Sequence, residues 1–502
     1  MSIEFFAALL ILLPLGGAAV TGFATAVGGR YGIIGSEWIT SVIAITLLAI
    51  DVVVLLAVRQ SGTPVVISMG NWAAPFGIVL VADLLSLTMV LLSSIVFAAS
   101  FLFSLETVDN ATKAKFFYPL FLALVAGVHG SFLTGDVFNL YVMVEIMALS
   151  SAALMVLRAS PQQVREGWLY LLLNIGLAAV LLVALRVTYT SFGTLNMADL
   201  AQKIAQHPDE PIVGLLVALY MIPFGIKAAL FLGYFWLPGP YAAAVPAVTG
   251  YFSGLLTKVG VYVIFRLATL IFPSQQNLFP ILLALAVLSM LVVFLAYSET
   301  NMRRILGYHI TSQIGYMILG IGIATDQAYT AVVFYIFHHV AVKGGLFLIA
   351  GAVEFVAGSS DLAKVSGLKA RYEALGTLFL VLGLSLAGVM PFSSGMVAKW
   401  SILRASMPHV QYVAVGLFVG LATLLSMRKI WNAIFWGKEK MVETLYLPLP
   451  RSAFAGIAIL AILSLALGMP GLGATNLLWT IAKEATAMMQ PEVYIPAVLG
   501  GT

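Results

Sequence analysis

Four lysines lie several residues inside long apolar runs: Lys227, Lys258, Lys343 and Lys399. One carboxylate, Glu145, lies inside the run from Leu140 to Leu157. A lysine at the centre of a bilayer costs about 2.5–3.5 kcal/mol on insertion scales, so charges in such runs need a physical reason. Snorkelling, in which the ammonium reaches the headgroups along its own stem, works near a helix end. It would suit Lys258 if its span began late, and it is a poor account of Lys227, Lys343 or Lys399. Proton movement is the better account. Burial disfavours an ammonium, whereas a neighbouring carboxylate favours it. Glu145 beside Lys227 would hold a proton on the lysine while the two are together and release it when they part. That pairing is expected from residue types alone.

Histidines add to the set. Tyr335, His339 and Lys343 fall at i, i+4 and i+8 and stack along one face of a helix. A titratable histidine next to a desolvated lysine can relay a proton, and His339 is read in that role. His338 is read as simply hydrogen-bonded in place. His309, with Thr311 and Gln313, supplies polar groups able to hold water. His129 and Asp136 lie close together near a helix end, which makes them either a solvated cap or an ion entry. Asp51, Asp83 and Glu354 also sit in or near apolar runs and are read as structural.

The elements that must position these groups are helices. The chain has 502 residues, 61% hydrophobic and 9% charged, whereas soluble domains carry about 25% charged residues. A membrane helix needs about 20 apolar residues, and such stretches recur from end to end. The runs are approximately 2–26, 35–58, 75–104, 114–133, 136–157, 166–191, 211–238, 243–271, 278–299, 303–323, 327–357, 372–407, 411–436 and 452–471. An amphipathic piece follows at 474–490 and is expected at the membrane interface. The first run carries Glu4 and no basic segment before it, so it reads as a span rather than a cleaved signal. The fold class is therefore all-α, a polytopic membrane protein of about fourteen spans with no soluble catalytic domain.

Basic residues orient it. Of the 25 Lys and Arg, four are the lysines within spans. Six fall on one side (Arg59, Arg186, Lys203, Arg266, Arg404 and Lys483) and the remaining fifteen on the other. Cytoplasmic loops carry the excess of Lys and Arg, so both termini are expected outside.

Pro223 precedes Lys227 by four residues, and Pro391 precedes Lys399 by eight, with Gly388 and Gly395 around it. Proline inside a helix removes a backbone hydrogen bond and kinks or breaks it. Broken helices at ion sites commonly occupy matching positions of inverted repeats. The two lie five spans apart, which suggests inverted five-helix repeats over spans 4–8 and 9–13. The expected divisions are 1–105 for three N-terminal helices, 106–271 and 272–437 for the repeats, and 438–502 for the last helix and interfacial segment.

The sequence has no cysteine, which removes disulfides, thiolate metal sites and iron–sulfur clusters. No metal-ligating histidine pattern, phosphate-binding loop or dinucleotide fingerprint occurs. No cofactor, no metal and no nucleic-acid partner are expected, and the chain reads as a transporter subunit rather than an enzyme.

Several motifs in order resemble one family. Thr134-Gly135-Asp136-Val137-Phe138-Asn139-Leu140 through Glu145 resembles the T-G-D-x-F-x-L-x-x-x-x-E segment of the proton-translocating antiporter-like subunits. These occur in respiratory complex I, membrane-bound hydrogenases and Mrp-type multisubunit cation/proton antiporters. Pro223-Phe224-Gly225-Ile226-Lys227, Phe235-Trp236-Leu237-Pro238 and Ser253 through Tyr262 look like its seventh and eighth helices. Ser312-Gln313-Ile314-Gly315-Tyr316 and His338-His339-x-x-x-Lys343 look like its tenth and eleventh. The resemblance covers roughly 75–437, and the wording around Lys258 is most similar to the D-type subunits of Mrp antiporters. It implies a glutamate–lysine pair at Glu145 and Lys227, a connecting lysine at Lys258, a central lysine at Lys343 and a twelfth-helix lysine at Lys399. It departs at Phe392-Ser393-Ser394-Gly395, where relatives carry a more Pro/Gly-rich segment.

The function implied is a proton-moving subunit of a Na⁺/H⁺ antiporter in a prokaryotic cytoplasmic membrane. Its partners would be other membrane subunits (Mrp types A, B, C, E, F and G), with Na⁺ and H⁺ as transported ions. The alternatives are a redox-driven relative in complex I or a hydrogenase, a scaffold with vestigial charges, or a subunit with a quinone site.

Overall fold

The computed structural model describes residues 2–438, 440, 447–469 and 474–500. Residues 470–471, at the end of the last expected span, lie outside the described residues. The chain is helical almost throughout, as its apolar runs require: where backbone groups meet hydrocarbon, only intrachain hydrogen bonds can satisfy them.

The first helix, α1 (Ile3–Ser61), is two limbs joined at Gly29, whose φ of +52° turns the chain back on itself. Ser36 Oγ donates to Thr21 O at 3.2 Å across the turn. A short hairpin follows, β1 (Val65–Ser68) paired antiparallel to β2 (Val79–Ala82). The expected third span from 75 therefore starts later, because 79–82 are strand; its helix is α2 (Leu84–Thr107), begun by a reciprocal cap between Asp83 and Ser86. Then come α3 (Asn110–Lys113), α4 (Phe117–Leu133), α5 (Val137–Met155), α6 (Pro161–Phe192), α7 (Met197–Gln206), α8 (Pro211–Lys227), α9 (Pro238–Ala243) and α10 (Pro246–Arg266). The second half contains α11 (Leu278–Leu291), α12 (Met302–Ile323), α13 (Asp326–Ala357), α14 (Glu373–Ala387), α15 (Ser394–Ala405) and α16 (Val410–Ile430). The chain closes with α17 (Arg451–Gly468), α18 (Ala474–Met488) and α19 (Pro491–Leu499).

Among the described residues, nine helices are long and apolar enough to cross a membrane by length and composition. The centre of the fold is α10 and α13, buried on all sides and packed on each other. Both are protected from lipid by neighbours, which is why they can carry charge. The outward faces of α1, α6 and α16 expose large apolar side chains such as Phe23, Leu172 and Leu417. That is a bilayer-facing pattern.

Two helices are interrupted, and only one is interrupted where proline would suggest. Pro223 lies inside an unbroken α8. The break comes after Lys227, over 228–233, with Ala229 and Leu232 at φ of +57° and +77°. Tertiary contacts hold it there: Trp236 Nε1 donates to Ile226 O at 2.8 Å, and Phe231 N donates to Ser289 Oγ at 2.9 Å. The second break does contain its proline. The expected span 372–407 divides into α14 and α15 across 388–393, with Gly388 at φ +78° closing α14.

Candidate functional site

Buried polar groups occur at both helix breaks and in the packed helices between them. At the first break Lys227 ends α8, and its ammonium donates to Asn174 Oδ1 at 2.7 Å. Asn174 is oriented for this, since its amide nitrogen donates to Tyr170 O at 2.8 Å. Glu145 is half-buried on α5 and within electrostatic range of Lys227. Among the described residues, however, no ion pair joins them, and Asn174 takes the contact expected of the carboxylate. Lys227, Asn174, Tyr170, Trp236 and Leu256 line one small cavity. Through Leu256 it abuts α10, two residues from Lys258.

Lys258 is fully buried twelve positions into α10, so snorkelling does not account for it. Its ammonium is close to Ser253 O and lies 3.3 Å from Thr257 Oγ1. Facing it, α13 brings His339 and Lys343. His339 is fully buried with neither ring nitrogen hydrogen-bonded, and it senses the charges of Lys258, Lys343 and Lys399. Lys343 donates to Leu306 O of α12 at 3.2 Å.

At the second break the ammonium of Lys399 donates at 3.0 Å to Ala387 O, the last residue of α14. A helix C-terminus carries partial negative charge, so the break supplies a counter-charge without a carboxylate. The same ammonium stands 5.1 Å from the centre of the Tyr316 ring, a favourable cation–π placement. Tyr316 stacks on Tyr335, whose hydroxyl donates to Gln313 Oε1 at 2.7 Å. His309 is hydrogen-bonded to Ser426 Oγ at 2.8 Å.

His338 is hydrogen-bonded in place, to Ser394 Oγ at 2.8 Å. That serine opens a cluster across the break, with Ser394 to Ser464 at 2.8 Å and Ser464 to Ser385 at 3.0 Å. Asp136 is a helix cap: its Oδ1 accepts from Phe138 N and Asn139 N at 2.9 and 2.8 Å. His129 bonds Leu10 O and Ser93 Oγ rather than Asp136.

The arrangement therefore brings together Lys258, His339, Lys343 and Lys399, with His309 and His338 beside them, while Lys227 reaches α10 only through the small cavity at Leu256. Glu145 is left at the edge of the line. Each lysine rests on a neutral oxygen, and no ion pair to any of them occurs among the described residues. Lys343 senses both Lys258 and Lys399, and buried cations that repel one another cannot all be charged cheaply, so protonating one of these three disfavours protonating the next. Sequence reasoning misses Asn174 and the three serines. Asn174 carries a signal, an amide alone in the apolar run 166–191; the serines carry none.

A helical membrane body with lysines and histidines strung through its middle defines an antiporter-like ion-transport subunit. The chain belongs to the NADH:quinone oxidoreductase/Mrp antiporter transmembrane family, whose model matches residues 134–426. It is 38% identical over 457 residues to the D-type subunit of the Na⁺/H⁺ antiporter of Alkalihalophilus pseudofirmus, covering 90% of this chain and 92% of that one. With the corresponding D-type subunit of Bacillus subtilis it shares 35% over 440 residues, 86% of this chain and 88% of the relative. Among solved structures, a chain of the Mrp complex from a Dietzia species matches with a TM-score of 0.90 at 31% identity, over 100% of both chains. A chain of a membrane-bound sulfane sulfur reductase, an archaeal respiratory membrane complex, matches with a TM-score of 0.87 at 25% identity, covering 98% and 99%.

Proposed function

We propose that this chain is the D-type subunit of a multisubunit Na⁺/H⁺ antiporter and that it carries protons between its two helix breaks. The path runs along Glu145, Lys227, Lys258, His339, Lys343 and Lys399, with His309, His338 and Tyr335 supporting it and Asp136 holding the start of α5. The observation that supports this reading is the set of four buried lysines, each on a neutral oxygen and none in an ion pair among the described residues. It works with other membrane subunits of the same complex, of Mrp types A, B, C, E, F and G. It sits in a prokaryotic cytoplasmic membrane with about fourteen crossings and both termini outside. The two interrupted helices mark inverted five-helix repeats, over 106–271 and 272–437, between the N-terminal helices of 1–105 and the segment 438–502.

Likeness to an archaeal respiratory complex favours a second reading, the same axis driven by electron transfer in a partner subunit. The complete complex in vesicles separates the two: sodium-dependent proton flux with no electron donor supports the antiporter, and its absence until a donor is added supports the redox machine. Within the antiporter, Glu145→Gln tests the start of the path. Loss of exchange is expected, and unchanged transport removes Glu145 from it.

Asn174→Leu addresses the neighbouring contact. A buried hydrogen bond to a charged group contributes about 1.5–3 kcal/mol, so the variant complex should melt at lower temperature and exchange ions more slowly. Asn174→Asp, which keeps an acceptor facing Lys227, should restore the melting temperature. A wild-type melting curve for Asn174→Leu would show that the ammonium does not depend on this amide.

A further inference from the structure

Asp51, Asp83 and Glu354 look alike in sequence, but the fold treats one of them differently. Asp83 pairs with Arg266, and Glu354 pairs with Arg303 at 3.2 Å. Asp51 is fully buried in the second limb of α1, and neither carboxylate oxygen has a partner among the described residues. The elements packed most extensively on α1 are α2, α4, β1 and β2. Their titratable groups are engaged elsewhere: Asp83 with Arg266, Glu106 with Ser452, Tyr118 with Glu37, and His129 with Leu10 O and Ser93. The strands carry none. On α1 itself, Glu37 pairs with Lys113 and Arg59 with Glu484, while Glu4, Arg30 and Tyr31 lie near the ends of its limbs. What Asp51 faces is the hydroxyl of Ser94 on α2, itself outside hydrogen-bonding geometry.

On the other side of α2 lies α10. A Cβ at Gly254 would stand 3.3 Å from Val96 Cγ1, and one at Gly250 would stand 3.0 Å from Ser100 Oγ. These contacts set an antiparallel register, which extended along both helices brings Ser93 level with Thr257, the residue before Lys258. Adjacent serines thus serve two sides of one helix. Ser94 faces Asp51, while Ser93 is hydrogen-bonded to Tyr251 of α10 at 2.7 Å and to His129 at 3.0 Å. By this register Asp51, beside Ser94, and Lys258 fall at about the same height, with α2 between them.

We propose that Asp51 is a proton-binding site, a carboxyl that takes up and releases a proton at the level of Lys258 and extends the polar axis into the N-terminal helices. An isolated carboxylate among apolar groups is costly, and a neutral acid costs far less. A proton is therefore the ligand that suits a carboxyl with one hydroxyl beside it. The hydroxyl and imidazole groups on the α10 side of Asp51, those of Ser94, Ser93, Tyr251 and His129, are the candidates to carry exchange with the axis. This rests on the proton-conducting reading above, yet proton occupancy of Asp51 can be measured whether or not the complex is an antiporter.

The test is infrared difference spectroscopy of the complete complex in lipid. A carboxylic-acid C=O band should be present at low pH, shift in D₂O, fade as pH rises, and be missing in Asp51→Asn. Asp51→Glu should move the band without removing it, which keeps the assignment open to test if the Asn variant assembles poorly. In reconstituted vesicles Asp51→Asn should slow exchange about tenfold, a barrier change of roughly 1.4 kcal/mol, while Asp51→Glu retains most of it. An Asn spectrum identical to wild type overturns the site. Fading of the band with added Na⁺ at fixed pH, but not with choline, makes sodium the ligand and overturns the proton assignment. Wild-type exchange in Asp51→Asn removes it from the axis.

Discussion

Replacing Lys343 by Met should abolish proton-coupled exchange while leaving the complex assembled. Lys343 is fully buried near the middle of α13, and it senses both Lys258 on one side and Lys399 on the other. His309, His338 and His339 sense it in turn. No other residue in the line is electrostatically coupled to so many of its members. Its loss removes the titratable group to which most members of the line are coupled. The fold should tolerate the change, because methionine fills a similar volume and removes a buried charge. The one hydrogen bond lost is to Leu306 O, a carbonyl inside α12 that keeps its helical partner. Positioned proton transfer is worth about 10²–10⁴-fold in rate, so exchange in vesicles should fall by at least about a hundredfold. Lys343→Arg sharpens the test, because a guanidinium keeps the charge yet does not give up its proton. If the charge alone mattered, Arg would support exchange; if titration matters, Arg should be as inactive as Met. A fully active Arg variant would sink the proton-relay role of this residue.

The parts of this fold legible in sequence are those set by solvation. Long apolar runs become helices because hydrocarbon leaves the backbone no other partner, and a lysine in such a run stands out because it is expensive there. Lys258, Lys343 and Lys399 stand out in this way, and the fold buries all three. Partners are harder to read. The attraction of opposite charges assigns Lys227 to Glu145, but Asn174, whose orientation is fixed by Tyr170 O, takes the contact. Residue type gives the sign of an interaction; distance depends on how α5, α6 and α8 pack.

Helix breaks divide in the same way. The break at 388–393 has Gly388 and Pro391 to announce it. The break at 228–233 has Ala229 and Leu232 in the left-handed region, and neither residue type favours that conformation. It exists because Trp236 and Ser289 take up backbone groups freed by unwinding, a tertiary cause invisible in a local pattern. Asp51 illustrates the reverse. Sequence groups it with Asp83 and Glu354, and only the packed structure shows that those two have arginine partners while Asp51 has none among the described residues.

The second break offers the other large effect. Gly395→Ala should lower the melting temperature of the complex and eliminate exchange together. A Cβ at Gly395 would overlap Ser385 O and lie 2.9 Å from His338 Cε1. The nearer atom is backbone, so it cannot swing away; the first turn of α15 would have to lift off the last turn of α14. Overpacking of this kind costs about 1–3 kcal/mol and occasionally more. The same displacement would pull Lys399 from Ala387 O and Ser394 from His338, since the first contact bridges the two half-helices and the second ties α15 to α13. Gly388 adds to the constraint, because its missing side chain leaves room for the Lys399 stem: a Cβ there would stand 2.6 Å from Lys399 Cδ. Gly420→Ala is the control. It sits in α16, where a Cβ would meet nothing nearer than 3.8 Å, and alanine should be neutral or slightly stabilising in a helix interior. Exchange retained in Gly395→Ala would mean that the half-helices can separate without disturbing the lysine. Exchange lost in both variants would point to a general intolerance of this region rather than to the break. The expected pattern, Gly395→Ala dead and Gly420→Ala active, ties transport to the close approach of α14 and α15, where a helix end takes the place of the counter-ion that Lys399 lacks.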